Sequence, residues 1–338
     1  MEFIRVEDCC EILDSQRRPV TESERIPGIY PYYGANGIQG TINQYIFDEK
    51  LVLVAEDGGH FGSKTKPIAY LVNGKCWVNN HAHVLRAKKG FLAEYICYSL
   101  MFYKIEGYIN GATRQKLTQA ALRKLIIPKR SVEYQNAIVD RLDLVKCIIE
   151  KKQNIINELD LLIKSRFVEM FEVFNINPNN YNTIKFKDLI ERNNINEEDK
   201  VWLLNLDMIK PNTGEIVEKV YINRQNIPAS SISFKKGTVL YSKLRPYLNK
   251  VVIADENGYG TSELIPLNSY KNGLTAEYLA YYLRQDSFVD YIKDKVTGAK
   301  MPRVAMDILR NIDIIQPNYI YQEQFSSFVN HVNKLKFE

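Results

Sequence analysis

An internal repeat constrains the fold of this 338-residue chain more than any other feature of its sequence. The segment GATRQKLTQAALRKLIIPKRSVEYQ (residues 111–135) aligns without a gap to GAKMPRVAMDILRNIDIIQPNYIYQ (residues 298–322), with seven identities in 25 positions. Upstream, FLAEYICYSL (residues 91–100) matches LTAEYLAYYL (residues 274–283) at five of ten positions. The period of about 185 residues is far too long for a solenoid repeat, so each copy is a whole domain.

A long helix is predicted after each copy of the repeat. Residues 133–172 contain no Gly or Pro, and apolar side chains recur at alternating steps of four and three, which is the heptad signature of a helix that packs against another helix. The tail 319–338 resumes the same phase over about half that length. We therefore expect the two helices to pair, with part of the first helix left for another chain. The predicted interface residues are Ile138, Leu142, Val145, Ile149, Ile156, Leu159, Ile163, Met170, Phe325, Val329 and Val332.

Short β-rich runs precede both long helices. KLVLVAED, PIAYLV, GTVLYSKL and NKVVIAD alternate with Gly and Asn turns, and shorter helices are predicted at 91–105, 116–124, 275–285 and 303–310. The expected fold class is therefore α+β, with two tandem domains that are each followed by a long helix. The predicted boundaries are 1–132 for the first domain, 133–174 for the first long helix, 175–318 for the second domain and 319–338 for the short second helix.

Composition and charge exclude several classes of protein. The chain is 45% hydrophobic and 25% charged, as in ordinary globular proteins, and its apolar runs are too short to span a membrane. Five cysteines without a C-x-x-C pair indicate reduced thiols, and no signal-peptide layout is present, so a cytoplasmic protein is expected. The positive excess lies on the domains, since residues 1–132 carry 18 basic and 13 acidic side chains and residues 173–316 carry 19 and 17.

Motifs of catalysis are missing from the sequence. The glycines of YGANGIQG are not spaced as in a dinucleotide fingerprint, and neither a P-loop nor an N/D-P-P-Y/F methyltransferase box occurs. His81 and His83 have H-x-H spacing, but no motif places a third ligand, so no metal site is predicted. A non-catalytic chain is therefore expected, and an enzyme in its own right is the least favoured interpretation.

In their order and duplicated spacing, these features resemble the specificity subunits of type I restriction-modification systems. The resemblance is carried by PYYGANGIQGTINQYIFDEKLVLVAEDG (residues 31–58), GATRQKL, LDLLIKSRFVEMF (residues 159–171), GTVLYSKLRPYLNK and GAKMPR. It implies two target-recognition domains that each read half of a split DNA sequence, and two helices that form an antiparallel coiled-coil spacer. It also implies that two methyltransferase subunits and restriction subunits join the complex. S-adenosylmethionine would bind the methyltransferase partner, so no cofactor is expected in this chain.

Polar turns are the expected DNA contacts, because cations bind phosphates while polar side chains reach base edges. GATRQKL and GAKMPR are predicted at helix starts, and Lys243 and Arg245 on one face of a strand. The alternative for each of these turns is an ordinary solvated loop. The predicted DNA-binding residues are His60, Ser63, Lys64, Lys66, Asn79, Asn80, Arg114, Lys116, Ser242, Lys243, Arg245, Lys250, Thr261, Lys300 and Arg303.

Other functions stay open at this point. A chain of the same plan is also expected as the specificity chain of a type II-like system, or as an inactive truncated copy, because the second helix ends early. The incomplete helix pair also predicts self-association. A coiled-coil scaffold without DNA binding is the alternative from a different class of protein.

Overall fold

The computed structural model describes residues 2–111, 115–191 and 199–336. The chain divides into two compact units, Met1–Glu150 and Lys151–Glu338, and the division falls within a long helix. Across the described ranges, no helix combines the length and the apolar character needed to cross a membrane.

The first unit consists of short strands joined by tight turns, with helices packed on the sheets. Its strands are β1 (Phe3–Arg5), β2 (Cys10–Ile12), β3 (Tyr30–Gly34), β4 (Gly37–Ile42), β5 (Phe47–Asp48), β6 (Leu51–Ala55), β7 (Ala69–Val72), β8 (Lys75–Val78), β9 (Ala82–Ala87), β10 (Ile109–Asn110), β11 (Lys116–Leu117) and β12 (Ile126–Pro128). Its helices are α1 (Val6–Cys9), α2 (Ala93–Leu100), α3 (Gln119–Lys124) and the beginning of α4 (Val132–Phe171).

Two four-stranded sheets form the framework of this unit, in the strand orders β2-β9-β6-β7 and β4-β3-β8-β5. All five residues of β6 are buried, as expected for a continuous LVLVA run in the middle of a sheet. Helix α2 packs Tyr95, Ile96 and Leu100 into the core that contains Val52 and Val54 of β6. The end of β6 is therefore a rigid position from which surface turns project.

The second unit is built from the same kinds of elements. Its strands are β13 (Asn182–Lys185), β14 (Lys200–Leu204), β15 (Val220–Asn223), β16 (Ile232–Phe234), β17 (Val239–Ser242), β18 (Val251–Ile253), β19 (Gly258–Gly260), β20 (Leu264–Leu267), β21 (Val296–Thr297), β22 (Arg303–Val304) and β23 (Asp313–Gln316). Its helices are the rest of α4, α5 (Phe186–Leu189), α6 (Ala276–Arg284), α7 (Asp286–Lys293), α8 (Met306–Arg310) and α9 (Tyr319–Leu335).

The topology of the second unit repeats that of the first from end to end. Sheets β15-β14-β19-β16 and β18-β17-β20 correspond to β4-β3-β8-β5 and to β7-β6-β9. In both units the central pair, β3 with β8 or β14 with β19, is parallel. The pairs β13-β23 and β21-β22 correspond to β1-β12 and β10-β11, and α7 is an insertion of the second unit. The duplication thus extends well beyond the segments whose sequences still align.

A buried glutamine anchors each long helix in the same way. Gln135 Oε1 accepts a hydrogen bond from the backbone nitrogen of Leu92 at 2.9 Å, and its Nε2 donates to the carbonyl of Gly90 at 3.0 Å. Gln322 repeats this before α6, accepting from the nitrogen of Thr275 at 3.0 Å and donating to the carbonyl two residues earlier at 3.2 Å. Both side chains are fully buried. The amide ties the first turn of the long helix to the loop before α2 or α6, which explains this identity in the repeat.

Helix α9 packs antiparallel to the second half of α4. The ring centroid of Phe325 lies 5.2 Å from that of Phe167 and 5.7 Å from that of Phe171. Further along α9, Lys336 Nζ lies 2.5 Å from Asp160 Oδ1. The two helices therefore run in opposite directions. The coiled-coil spacer remains a prediction.

The predicted helix-interface residues fall into different environments. The buried ones are Ile163, Phe325, Val329 and Val332, and the half-buried ones are Ile138, Ile156, Leu159 and Met170. In contrast, Leu142, Val145 and Ile149 are 39%, 52% and 62% exposed. Phe167 and Phe171, which the heptad pattern did not select, are buried at the contact with α9. The predicted apolar stripe is thus partly covered at Ile138, exposed from Leu142 to Ile149 and covered again over the second half of α4.

The shorter helices differ from their predicted bounds. The segments expected at 91–105 and 275–285 form α2 and α6, and those expected at 116–124 and 303–310 begin only at α3 and α8. The last two predictions started too early because the preceding residues pair as hairpins, β10 with β11 and β21 with β22. Lys116 of GATRQKL and Arg303 of GAKMPR therefore lie on hairpin strands, just before helices α3 and α8 and not in their first turns.

Candidate nucleic-acid interface

Three of the predicted turns of the first unit meet at the end of β6. The backbone of Glu56 is hydrogen bonded both to the 79–81 turn and to strand β11. The next residue, Asp57, forms an antiparallel bridge with Lys116 and leads into the 58–67 loop. Turns that are distant in sequence therefore lie side by side and form one surface.

The same arrangement recurs in the second unit, at the end of β17. Lys243, the first residue after this strand, donates its backbone N–H to the carbonyl of Glu263 at 3.0 Å, and its own carbonyl accepts from strand β22 at 3.0 Å. Leu244 forms an antiparallel bridge with Arg303. Arg303 occupies the position of the repeat that Lys116 occupies in the first unit, and each lies on the second strand of its hairpin.

A carboxylate holds each of these two equivalent cations. Lys116 Nζ lies 2.9 Å from Glu56 Oε1, and Arg303 Nη2 lies 2.9 Å from Glu263 Oε1, while the side chains of the two cations remain 48% and 44% exposed. Glu56 also accepts from Arg17 Nη1 at 2.6 Å. Burial opposes ionisation of Glu56, but the hydrogen bonds from Arg17 and Lys116 outweigh it and lower the pKa of the carboxyl group. Both cations are thus oriented at the surface before any ligand arrives.

A buried ionic network around His83 supports the first hairpin. His83 Nδ1 lies 2.6 Å from Asp14 Oδ2, and Nε2 lies 2.8 Å from the carbonyl oxygen of Leu117 on β11. Burial opposes ionisation of Asp14, but its hydrogen bond with His83 outweighs this and lowers the pKa of the carboxyl group. One carboxylate oxygen each of Asp14 and Glu56 and one ring nitrogen of His83 lie within 4.8 Å of one another, a spacing that could also hold a metal ion. Because Arg17 already contacts both carboxylates, the arrangement is an ionic network that anchors the hairpin.

The predicted DNA-binding residues of the first unit differ in accessibility. The exposed ones are Lys64, Lys66, Asn80 and Lys116, and the half-buried ones are His60 and Ser63. Asn79 is buried, donates from Nδ2 to Gln39 Oε1 and accepts at Oδ1 from the backbone of His81. Asn79 is therefore not accessible to DNA, because its amide is hydrogen bonded within the turn. Arg114 lies outside the described residues.

In the second unit the predicted residues also divide by accessibility. The exposed ones are Arg245, Lys300 and Arg303, and the half-buried ones are Lys243, Lys250 and Thr261. Ser242 is buried and donates from Oγ to the carbonyl of Leu244, so it is not accessible to DNA either. Lys250 Nζ donates to the carbonyl of Leu206 at 2.5 Å, which holds its ammonium group against the protein.

The prediction that Lys243 and Arg245 share one face of a strand was wrong. Strand β17 ends at Ser242, and Arg245 has a left-handed backbone with φ of 47°. A single 3-10 turn follows at Pro246–Leu248, and the proline favours such a turn because its ring fixes φ. The backbone nitrogen of Arg245 instead donates to Pro302 of the GAKMPR loop at 2.8 Å. The two residues still belong to one surface, which is joined by loop contacts.

Sequence reasoning missed the carboxylates that position this surface. Glu56 directly follows β6 and Glu263 directly precedes β20, and nothing nearby in sequence marks either as the partner of a hairpin cation. The sequence aligns Lys116 with Arg303 inside the repeat, so it shows that the two cations are equivalent. It gives no sign of the glutamate that pairs with each of them.

Residues 1–161 match the family described as the type I restriction modification DNA specificity domain. Over these residues the chain therefore carries a type I restriction-modification specificity domain. The match covers the first unit and continues into α4, and the second unit repeats the topology of the first. The resemblance proposed from the sequence is thereby confirmed.

Individual relatives in the specificity-subunit family cover different shares of the chain. A putative type I restriction enzyme specificity subunit of Haemophilus influenzae is 33% identical over 148 residues, which is 44% of this chain and only 38% of that subunit. The EcoDI specificity subunit of Escherichia coli is 20% identical over 333 residues, covering 86% of this chain and 72% of that subunit.

Solved structures of type I systems have a similar fold. The S subunit from M. genitalium superimposes with a TM-score of 0.58 at 12% identity, covering 99% of this chain and 90% of that one. A chain from a structure on complex assembly and conformational transition of the type I R-M system gives a TM-score of 0.52 at 13% identity, with the same coverage. The predicted α+β class is thereby confirmed, and the chain shares the fold of these two structures.

Proposed function

We propose that this chain is the non-catalytic DNA-sequence specificity subunit of a type I restriction-modification complex and reads a bipartite site. The observation that carries the proposal is the duplicated hairpin. Lys116 and Arg303 hold one position of the repeat, each on the second strand of a hairpin and each oriented by a carboxylate. A reader of two half-sites needs two equivalent surfaces, and the two units supply them.

The side chains of these surfaces fit the two tasks of a DNA reader. Exposed lysines such as Lys64, Lys66 and Lys300 suit phosphate contacts, which provide affinity without sequence information. Lys116 and Arg303 are already oriented, so they lose less conformational freedom on binding and suit contacts with base edges. In this division of roles, the loop cations determine affinity and the hairpin cations contribute to discrimination.

Catalysis in the proposed complex belongs to other chains. Two methyltransferase subunits would flip out and methylate an adenine in each half-site with S-adenosylmethionine, and restriction subunits would join the same assembly. The complex would act in the cytoplasm, where the DNA lies. Leu142, Val145 and Ile149 form the exposed apolar stripe on which a methyltransferase subunit would dock. Self-association through this stripe is the alternative, and light scattering of the purified chain with and without the methyltransferase distinguishes the two.

Methylation mapping tests the proposed function. Genomic DNA from cells that carry this chain and its cognate methyltransferase is sequenced at the single-molecule level, beside DNA from a deletion strain. We expect a split motif with adenine methylated in both halves. Identical methylation in the two strains would contradict the proposal and would favour an inactive copy or a scaffold.

A double substitution assigns a half-site to one unit. Lys243→Ala with Arg245→Ala is expected to abolish or relax recognition of a single half-site, because both residues border the hairpin of the second unit. Lys235→Ala with Lys236→Ala is the matched control, since it removes two exposed lysines from a different turn of that unit. An unchanged motif in the first double variant would refute the assignment.

Two observations separate the alternative functions. A coiled-coil scaffold predicts no DNA binding, whereas phosphate contacts make affinity fall steeply with salt. A type II-like specificity chain predicts the same DNA readout, but its enzymatic partner would both cut and methylate without a separate restriction subunit. Purification of the native complex and identification of its subunits decides between the two systems.

A further inference from the structure

A cleft of about 480 Å³ opens in the second unit, beside the second half of α4. Its rim is apolar and exposed, formed by Leu161 and Val168 of α4 and by Val173 just after that helix. Phe167 and Tyr281 line its interior, and the turn at 212–213 and the junction of α6 with α7 complete the walls. None of the described residues that were predicted to bind DNA lines this cleft.

The base of the cleft contains a buried cation. Arg284, the last residue of α6, is only 7% exposed. Its Nε donates to the carbonyl of Val251 at 2.9 Å, and its guanidinium carbon lies 5.0 Å from the centroid of the Tyr281 ring. Among the described residues, no carboxylate forms an ion pair with Arg284, and burial lowers the pKa of its guanidinium group. A buried cation without a direct ion pair is unfavourable, so an anion placed beside it would be stabilised.

The other charges around the cleft are balanced in pairs. Asp160 Oδ1 lies 2.5 Å from Lys336 Nζ, and Asp286 Oδ1 lies 3.5 Å from Lys164 Nζ. Each acid therefore has its own lysine. The negative charge of Asp160 also acts on Arg284 and partly opposes the effect of burial, but no carboxylate among the described residues that line the cleft forms an ion pair with Arg284.

The guanidinium group of Arg284 is held in place by close packing. A Cβ atom built on Gly214 would lie 1.9 Å from Arg284 Nη2, so only glycine allows the turn to approach this closely. The same glycine has φ of +70°, a conformation that side chains other than glycine rarely adopt. A cation fixed in this way at the end of an apolar cleft is suited to pair with a carboxylate.

We propose that this cleft binds a small carboxylic acid, with its apolar body against Phe167, Leu161 and Val168 and its carboxylate on Arg284. The cleft volume lies in the usual range of small-ligand sites, which combine apolar walls with a few fixed polar groups. The site extends the activity of this chain beyond DNA recognition, because a ligand here binds beside the helix on which partner subunits would dock.

A pair of matched probes tests the proposal on the full chain. Binding of 4-phenylbutyrate and of its neutral amide is measured by saturation-transfer NMR and calorimetry. We expect the acid to bind at least about tenfold more tightly than the amide, as for a hydrogen bond to a charged group. Arg284→Gln is expected to remove that difference, while Arg310→Gln, which alters an exposed arginine of the same unit, leaves it unchanged.

A second variant keeps the test valid if Arg284→Gln does not fold. Val168→Trp adds bulk at the exposed rim of the cleft without touching Arg284, and it is expected to weaken binding of the acid at least about tenfold. Equal affinity for the acid and the amide would overturn the proposal. So would the absence of binding at millimolar probe, or full binding by folded Val168→Trp.

Discussion

Substitution of the buried glutamine of the second unit tests the structural meaning of the duplication. In Gln322→Leu the volume is nearly retained, but three backbone groups lose their partner: the nitrogen of Thr275 and the carbonyls of Gly273 and Pro317. Water can reach exposed Gly273, so its carbonyl contributes little. The other two groups lie in buried surroundings, and each orphaned group costs about 1–3 kcal/mol. The free energy of unfolding should therefore fall by about 2–6 kcal/mol.

Urea unfolding followed by circular dichroism measures this loss, and hydrogen exchange locates it. Faster exchange is expected in α6 and in the first turns of α9, with little change in the first unit. Gln324→Leu alters an exposed residue of the same helix and should change stability by no more than about 0.5 kcal/mol. Gln135→Leu should reproduce the effect in α2 and at the start of α4. A loss below about 1 kcal/mol in Gln322→Leu would refute the reasoning, because the orphaned groups would have found other partners.

Two further predictions concern the acid unfolding of the first unit and the packing of the core in the second unit. The pKa values of Asp14 and Glu56 are lowered in the folded first unit, so their stabilisation is present above their unfolded values near pH 4 and is lost as the pH falls through the folded values. Acid unfolding followed by Trp77 fluorescence should therefore be less steep in Glu56→Gln, and an unaltered slope would count against the network. Phe167→Ala should destabilise the second unit by about 3–5 kcal/mol, because this buried ring packs against Phe325. Exposed Val168→Ala is the control in urea unfolding, and equal losses in the two variants would contradict this packing.

The sequence by itself determined the duplication, the α+β class, the long helix and the resemblance to type I specificity subunits. These features rest on local signals: identities at a constant offset, the spacing of apolar residues along a helix and the placement of Gly and Asn turns. The helix that the sequence predicts over 133–172 is observed as α4, because a run without Gly or Pro has no local reason to end.

The tertiary structure alone decided which residues of those turns are accessible and which acids they meet. Asn79 and Ser242 look like surface polar residues in the sequence but are buried, since neighbouring strands and turns cover them. Arg303 meets Glu263 across 40 positions of sequence, and no pattern within one segment encodes a contact of that range. The Arg284 cleft has the same origin, because its walls come from a helix, a turn and a helix junction that only the folded chain brings together.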